Sequence, residues 1–371
     1  MSDADTLVRP TVAAKPLLVD VDLHPKLAGL EDLRPYLADR WWRHLTTIGP
    51  RYRHGYARGF PYPKMQPLAC RRDAWPEAGG EPGSDVALMA AQHLDAHGVD
   101  FGILNPLSPT GGGELDDDFS AAMAHATNEW QLHAMVARDP RLLASILVPY
   151  EDPPAAAAEI RHRAGDPRFA HVLLMSRTAE LLGKRRYWPL LEAAAETGRP
   201  LGIHVFGYSG WAMTSGGWCS YYVEEASEHA VSAQALVTSL VMEGVFERFP
   251  ALKVVLIEAG FAWLPALAWR LDRLWARMRE EVPELRHPPS HYLKRHLWVS
   301  TQPMEEPDSA ADLLQTLDWI GGDRLLFASD YPHWDYDDPR MALPRRLDPT
   351  IRAAILGGNA EALYGLGRGS S

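Results

Sequence analysis

The chain has 371 residues, of which 46% are hydrophobic and 23% are charged, a composition typical of a globular protein. Its formal net charge of −11 argues against a nucleic-acid partner, and no apolar run is long enough to cross a membrane. Two cysteines are too few for a disulfide scaffold, and the polar start lacks the pattern of a signal peptide, so we expect a cytoplasmic protein.

Eight short apolar runs alternate with helical stretches along the chain, as expected for repeated βα units. The runs are almost continuously hydrophobic, which is typical of parallel strands buried on both faces. The predicted strands are Leu17–His24, Val99–Asn105, Leu142–Pro149, His171–Met175, Pro200–Phe206, Leu252–Gly260, Leu297–Pro303 and Arg324–His333. This pattern predicts a (β/α)8 TIM barrel that spans residues 1–371 as one domain, with residues 1–16 as a tail. A doubly wound open sheet is the alternative.

Two connections are longer than a simple βα loop requires. Residues 25–85 follow the first predicted strand, residues 207–227 follow the fifth, and both segments are rich in aromatic side chains. Both leave the carboxyl ends of strands, where active sites of barrels lie, so we expect them to roof a substrate pocket. The candidates for contact with a bulky apolar small molecule are Trp211, Trp218, Tyr221 and Tyr222.

Polar side chains occur where several predicted strands end. Alternation along the first strand predicts that Asp20, Asp22 and His24 point to one side, and an Asp-x-His pair at a barrel mouth can chelate a metal. The other strand-end candidates are His204, Glu258 and Asp330, with His333 just beyond. Clustered buried carboxylates are costly unless a cation compensates them, so the sequence predicts a metal site. Ser300, Thr301 and Gln302, at the end of the seventh strand, are expected to hydrogen-bond ligands.

The motifs VDVDLH, PLGIH and LLFASDYPHWD resemble the amidohydrolase-related family that includes aminocarboxymuconate semialdehyde decarboxylase and the resorcylate-type decarboxylases. The similarity extends through GVFERFPALKVVLIEAGFAWLPALAWRLDR and STQP to NAEALYGL. The resemblance implies a (β/α)8 fold and a metal held by Asp22, His24, His204 and Asp330. It also implies that Asp330 doubles as an acid or base.

The sequence departs from those decarboxylases after the sixth strand, where they carry a catalytic histidine and this chain has Glu258. A carboxylate does not shuttle protons as a neutral imidazole does at its usual pKa. His229 and His333 are further candidate ligands, which gives seven in all, whereas one metal needs about four protein ligands. The surplus predicts a second metal ion, with His229 and His333 on that ion and with Glu258 and Asp330 as catalytic, bridging residues. Fe, Mn and Zn all suit carboxylate and imidazole ligands.

Three functions fit these residues. The EAG and SDYPHWD motifs resemble those of dinuclear non-haem iron oxygenases of the amidohydrolase fold, such as the α-aminoisobutyrate hydroxylase and a diterpenoid hydroxylase of platensimycin-type biosynthesis. That resemblance favours an iron or Mn/Fe monooxygenase that uses O2, hydroxylates a hydrophobic small molecule in a setting such as terpenoid biosynthesis, and takes electrons from a donor protein. The alternative is a mononuclear Zn or Mn decarboxylase or hydrolase of a carboxylated small molecule. A non-catalytic barrel subunit is the third hypothesis, and a homodimer is expected in each case.

Overall fold

The computed structural model describes residues 16–49, 67–112, 116–205, 217 and 220–367. Eight parallel strands lie side by side in the order in which they occur in the chain, which confirms the predicted barrel. The strands are β1 (Val19–Leu23), β2 (Phe101–Leu104), β3 (Leu142–Leu147), β4 (Phe169–Met175), β5 (Leu201–His204), β6 (Val254–Ile257), β7 (Leu297–Ser300) and β8 (Leu325–Leu326). Seven of the eight are shorter than predicted, and β4 begins two residues earlier than predicted.

Backbone hydrogen bonds close the barrel between its last and first strands. The amide of Val21 donates to the carbonyl oxygen of Phe327 (3.0 Å), and the amide of His24 donates to that of Tyr331 (2.8 Å). Both acceptors lie beyond the two residues of β8, so the chain continues alongside β1 after regular pairing with β7 has ended. This places the residues after β8 directly beside the end of β1.

Helices connect the strands and form the outer layer. They are α1 (Asp39–Thr47), α2 (Val86–Met89), α3 (Asp95–His97), α4 (Asp117–Trp130), α5 (Pro153–Arg163), α6 (Trp188–Thr197), α7 (Tyr222–Met242), α8 (Val245–Arg248), α9 (Trp263–Met278), α10 (Pro289–His296), α11 (Ala310–Ile320), α12 (Pro349–Ala353) and α13 (Asn359–Tyr364). A π-helical segment, Ala90–Leu94, joins α2 to α3 in one continuous helical run. Local signals explain several ends: the Asp152 carboxylate caps the start of α5, and Gly198, in the left-handed conformation, ends α6. Among the described residues, no helix is both long and apolar enough to cross a membrane.

Two buried apolar clusters fill the molecule. A smaller one includes Val19, Val21, Ile103, Val255 and Leu326 from four different strands, as expected for the interior of a barrel. A larger one packs the opposite faces of the strands against the helices. The candidate metal ligands therefore lie at the carboxyl end of the barrel, above its apolar interior.

The predicted alternation of the first strand is wrong at Asp20. From Asp20 to Leu23, β1 advances three residues, while its partner β2 advances two, from Gly102 to Leu104. This bulge places one extra residue in β1, and an extra residue reverses the side to which the preceding side chains point. Asp20 consequently faces His93 in the helical layer (Oδ2 to Nε2, 2.7 Å), away from Asp22 and His24.

Candidate metal centre

The structure brings six of the seven predicted ligands together at the carboxyl ends of the strands. One donor atom from each residue lies within 4.8 Å of the others in three overlapping groups. The groups are Asp22, His24, His204 and Glu258; His24, Asp330 and His333; and Glu258, Asp330 and Asp335. All except Asp335 are buried. The donors come from β1, β5, β6 and the segment after β8, which meet at one end of the barrel because parallel strands all end there.

The predicted seventh ligand, His229, is buried on α7 but belongs to none of these groups, so its role as a ligand stays a prediction. Of the residues predicted to bind substrate, Tyr221 is 70% exposed before the start of α7. Trp211, Trp218 and the side chain of Tyr222 lie outside the described residues, as does most of the connection that follows β5.

Two pairs of side chains face each other at the centre of the cluster. His24 Nε2 lies 2.9 Å from Asp330 Oδ1 and 3.4 Å from Asp22 Oδ1. His204 Nε2 lies 2.9 Å from Glu258 Oε2 and 3.7 Å from Asp22 Oδ2. The Nδ1–H of His24 donates to the carbonyl oxygen of Asn105 (2.9 Å), which leaves Nε2 as an acceptor that faces other acceptors. Because facing acceptors repel each other, protons or a cation must lie between them.

Asn105, which the sequence analysis placed at a strand end but did not select, orients the residues of the metal centre. Its amide Nδ2 donates to Asp22 Oδ1 (2.9 Å), and its backbone carbonyl accepts from His24. The amide oxygen accepts from Ser145 Oγ (2.7 Å) and from His171 Nε2 (2.9 Å), which fixes the orientation of the amide. One residue of β2's end thus holds two candidate ligands of β1, as outer partners of metal ligands do.

The backbone is strained at both carboxylates that follow a strand. Glu258 (φ 58°) and Asp330 (φ 62°) adopt the left-handed conformation, which costs a residue with a Cβ roughly 1–3 kcal/mol. Hydrogen bonds hold them there: the Glu258 amide donates to Ser300 Oγ (2.9 Å), and the His333 amide donates to the Asp330 carbonyl (2.8 Å). Such strain persists where the surrounding structure imposes it, and it is concentrated at functional sites.

Charges in this buried cluster shift each other's protonation. Burial alone would lower the pKa of His204, but Asp22 and Glu258 raise it to about 9. Burial alone would raise the pKa of Glu258, but His204 lowers it to about 2. Burial and the nearby Glu258 carboxylate raise the pKa of Asp330 to about 8, so Asp330 carries a proton more readily than the Asp22 and Glu258 carboxylates, whose pKa values are lowered. A divalent cation at the same place would favour the ionised carboxylates and the neutral imidazoles instead.

Asp335 is a second residue that the sequence analysis missed. Gln302 Nε2 donates to Asp335 Oδ2 (3.3 Å) and to Asp330 Oδ2 (3.3 Å), and so ties the two carboxylates together. Burial and the neighbouring Asp330 and Glu258 raise the pKa of Asp335 to about 8. The signal was the last letter of the SDYPHWD motif, which lies two residues beyond the predicted end of the eighth strand at His333.

Part of the predicted insertion at residues 25–85 lies against the segment that carries His333. Cys70 pairs with His333 in an antiparallel bridge, and the Arg71 amide donates to the Pro332 carbonyl (2.9 Å). The Trp334 amide donates to the Ala69 carbonyl (2.7 Å). These hydrogen bonds hold the loop after β8 against residues 69–71.

The donor set fits a divalent metal ion. Among the described residues, Asp22 Oδ2 and His24 Nε2 are fully buried and lack hydrogen-bond partners, although each lies near an oppositely charged group. Carboxylate and imidazole ligands without thiolate suit Mn, Fe or Zn. The eight-stranded parallel barrel and the donors at its carboxyl end place this chain in the class of (β/α)8 proteins with a candidate metal site at the strand ends.

The chain belongs to the amidohydrolase family, whose model matches residues 19–366. Among curated relatives, the γ-resorcylate decarboxylase of Polaromonas sp. is 25% identical over 312 residues, which are 79% of this chain and 91% of that protein. The crystal structure of 5-carboxyvanillate decarboxylase from Novosphingobium aromaticivorans, complexed with manganese and a nitrated hydroxymethoxybenzoic acid, has a TM-score of 0.70 at 20% identity and covers 95% of this chain and 96% of that chain. An amidohydrolase of Mycobacterium avium subsp. paratuberculosis has a TM-score of 0.69 at 22% identity, covering 96% and 100% of the two chains. At these identities, the two solved structures establish a shared fold.

These relatives overturn the functional prediction. The monooxygenase hypothesis, and with it the assignment as an oxidoreductase or hydroxylase, is wrong, because the γ-resorcylate and 5-carboxyvanillate enzymes that this chain resembles are decarboxylases, which are lyases. A decarboxylation releases CO2 and is redox-neutral, so the expected O2, dinuclear iron and electron-donor protein lose their support. The EAG and SDYPHWD motifs therefore did not distinguish a decarboxylase from an oxygenase of the amidohydrolase fold.

Proposed function

We propose that this protein is a metal-dependent decarboxylase of an aromatic carboxylic acid. The observation that carries the proposal is the buried arrangement of Asp22, His24, His204 and Glu258 around one point, with Asp330 Oδ1 2.9 Å from His24 Nε2. The decarboxylase relatives support the reaction class, and the manganese bound by 5-carboxyvanillate decarboxylase supports a divalent ion.

The metal would be held by Asp22, His24, His204 and Glu258. When bound, it would supply a positive charge that orients the substrate and stabilises negative charge as the carboxylate leaves. The chain's own residues supply the rest. Asn105 fixes the first two ligands, and Ser300 fixes the backbone of Glu258.

Decarboxylation breaks the bond between the ring carbon and the carboxylate, and the electron pair left on the ring carbon takes up one proton. Asp330 is suited to deliver that proton because its carboxyl is fully buried and is held by His24, Gln302 and His333. His333 Nδ1 lies 2.5 Å from Asp330 Oδ1, and its side chain is 10% exposed, so it can return a proton to Asp330 after each turnover. Asp330 and His333 would together supply the acid–base function of the reaction.

The number of metal ions is the finer part of the proposal. Asp330 belongs to two further donor groups beside the first, one with His24 and His333 and one with Glu258 and Asp335. In the reaction proposed, Asp330 and His333 handle protons, so we expect one divalent ion per chain. Two ions per chain would instead show that one of these further groups binds metal.

The test combines metal analysis with a product assay. Protein loaded with Mn2+ or Zn2+ is given hydroxybenzoates, including γ-resorcylate and 5-carboxyvanillate, and CO2 release is measured. In D2O, the product should carry deuterium on the carbon that lost the carboxylate. Asp330→Asn should keep its metal and lose roughly 100-fold or more in turnover, the usual contribution of an acid–base group. Metal-loaded protein that releases no CO2 but hydrolyses amides or lactones would contradict the proposal and favour a hydrolase.

A further inference from the structure

A line of buried polar side chains runs behind the metal centre, in the layer between the barrel and its helices. It starts at Asp20, which the bulge in β1 turns away from the centre, and passes to His93 (Oδ2 to Nε2, 2.7 Å). His93 Nδ1 lies 3.0 Å from the Tyr336 hydroxyl, which lies 3.0 Å from His97 Nε2. Asp20 and His93 are fully buried, and neither belongs to any donor group of the metal centre.

The Asp20 carboxylate joins the two backbones that carry metal-centre residues. Its Oδ1 accepts from the amides of Asp22 (3.1 Å) and Ser329 (3.0 Å), and its Oδ2 accepts from the Ser329 hydroxyl (2.5 Å). Asp22 is a candidate ligand, and Ser329 directly precedes the strained Asp330. Asp20 therefore fixes the end of β1 against the segment that leaves β8.

The far end of the line fixes a third carboxylate. Tyr336 directly follows Asp335, and its hydroxyl is held between His93 of the π-helical segment and His97 of α3. His93 Nε2 faces the Asp20 carboxylate at 2.7 Å as a close polar contact without hydrogen-bond geometry. The Tyr336 hydroxyl shares one hydrogen bond with His93 Nδ1 and one with His97 Nε2. The line therefore connects Asp20 to Tyr336 through the two ring nitrogens of His93.

We propose that Asp20, His93 and Tyr336 form a positioning chain for the metal-binding end of the barrel, an inference that rests on the proposed metal site. The chain reaches the backbone beside Asp22, Asp330 and Asp335 without touching their carboxylates. Outer partners of this kind change metal affinity about 10–100-fold when they are removed. A chain needed only for folding would change stability and leave metal affinity as it is.

The test measures Mn2+ affinity of the full chain by titration, together with the unfolding temperature of the metal-free protein. Tyr336→Phe removes one hydroxyl and should weaken Mn2+ binding about 10-fold or more. Tyr292→Phe is the control, because it also removes a hydrogen-bonded hydroxyl from a tyrosine. That hydroxyl accepts from the Arg286 amide (3.2 Å) and the His287 amide (3.1 Å) and donates to the Glu247 carboxylate, but it lies on α10, away from the donor groups. The control should keep the wild-type affinity within twofold.

A double-mutant cycle then tests whether the residues act as one chain. In the line, Asp20 is linked to Tyr336 only through His93. The effects of Asp20→Asn and Tyr336→Phe on Mn2+ affinity should therefore be strongly non-additive. Additive effects, or a Tyr336→Phe protein that binds Mn2+ like wild type, would overturn the inference while leaving the proposed metal site intact. Wild-type protein that binds no divalent ion would overturn both.

Discussion

Asn105 provides the sharpest test of how the metal centre is held. Asn105→Ala removes an amide that is fully buried and makes four hydrogen bonds through its side chain. Two are donated, to Asp22 Oδ1 and the Val21 carbonyl (both 2.9 Å), and two are accepted, from Ser145 Oγ (2.7 Å) and His171 Nε2 (2.9 Å). Each buried group that loses its partner costs about 1–3 kcal/mol. Since Ser145 keeps a bond to the Leu104 carbonyl, we count two or three such groups, or roughly 2–6 kcal/mol of lost stability.

The same substitution should weaken metal binding, because Asp22 loses the bond that orients its carboxylate. A loss of about 10–100-fold, or roughly 1.4–2.7 kcal/mol, is typical when an outer partner of a metal ligand is removed. Metal affinity would be measured by Mn2+ or Co2+ titration, and stability by chemical denaturation of the metal-free protein. The two measurements separate the effect on the metal centre from the effect on the fold.

Gln131→Ala is the matched control for this substitution. Gln131 is also a fully buried amide, and it exchanges two hydrogen bonds with the backbone of Ser145 (3.0 and 3.1 Å), but from the helical layer. It should lose stability and keep its metal affinity. If Asn105→Ala binds metal as tightly as wild type, or if both variants lose affinity equally, Asn105 does not position the ligands and our reasoning about the centre is refuted.

Three further predictions concern charge and metal. Glu258→Gln should lower metal content measured by mass spectrometry after dialysis, since an amide is a much weaker ligand than a carboxylate; full metal content would exclude Glu258 as a ligand. Chelation of the metal should lower the unfolding temperature, and an excess of 100 times Kd should restore about 2.7 kcal/mol; an unchanged temperature would show that no ion binds the folded state. Burial alone would raise the pKa of Glu159, but hydrogen bonds from His125, Asn128 and Arg163 lower it to about 2 from 4.5. Its stabilisation is therefore present above pH 4.5 and is lost as the pH falls towards 2, so Glu159→Gln should flatten that part of the stability curve, and an unchanged curve would exclude this role.

Much of the fold could be predicted because parallel barrel strands are buried on both faces and therefore appear as apolar runs. The positions of His204, Glu258 and Asp330 followed from the same pattern, since a polar residue directly after such a run must lie at the mouth of the barrel. Asn105 ended a run in the same way, but an amide is not a metal ligand, and its role depends on hydrogen bonds to a different strand. Asp335 lies five residues past Asp330, where no strand periodicity applies.

The error at Asp20 shows where prediction from a periodic pattern ends. Strict alternation assigns Asp20 to the same face as Asp22 and His24, the predicted pair of ligands. A single extra residue between Asp20 and Leu23 changes this, and the bulge depends on how β1 meets β2, which the sequence of β1 alone does not encode. The bulge has a functional consequence, because it leaves Asp22 and His24 in the mouth and sends Asp20 behind them. Asp20 is thereby placed to hold the backbone of Asp22 against the segment that carries Asp330, as its bonds to the Asp22 and Ser329 amides indicate.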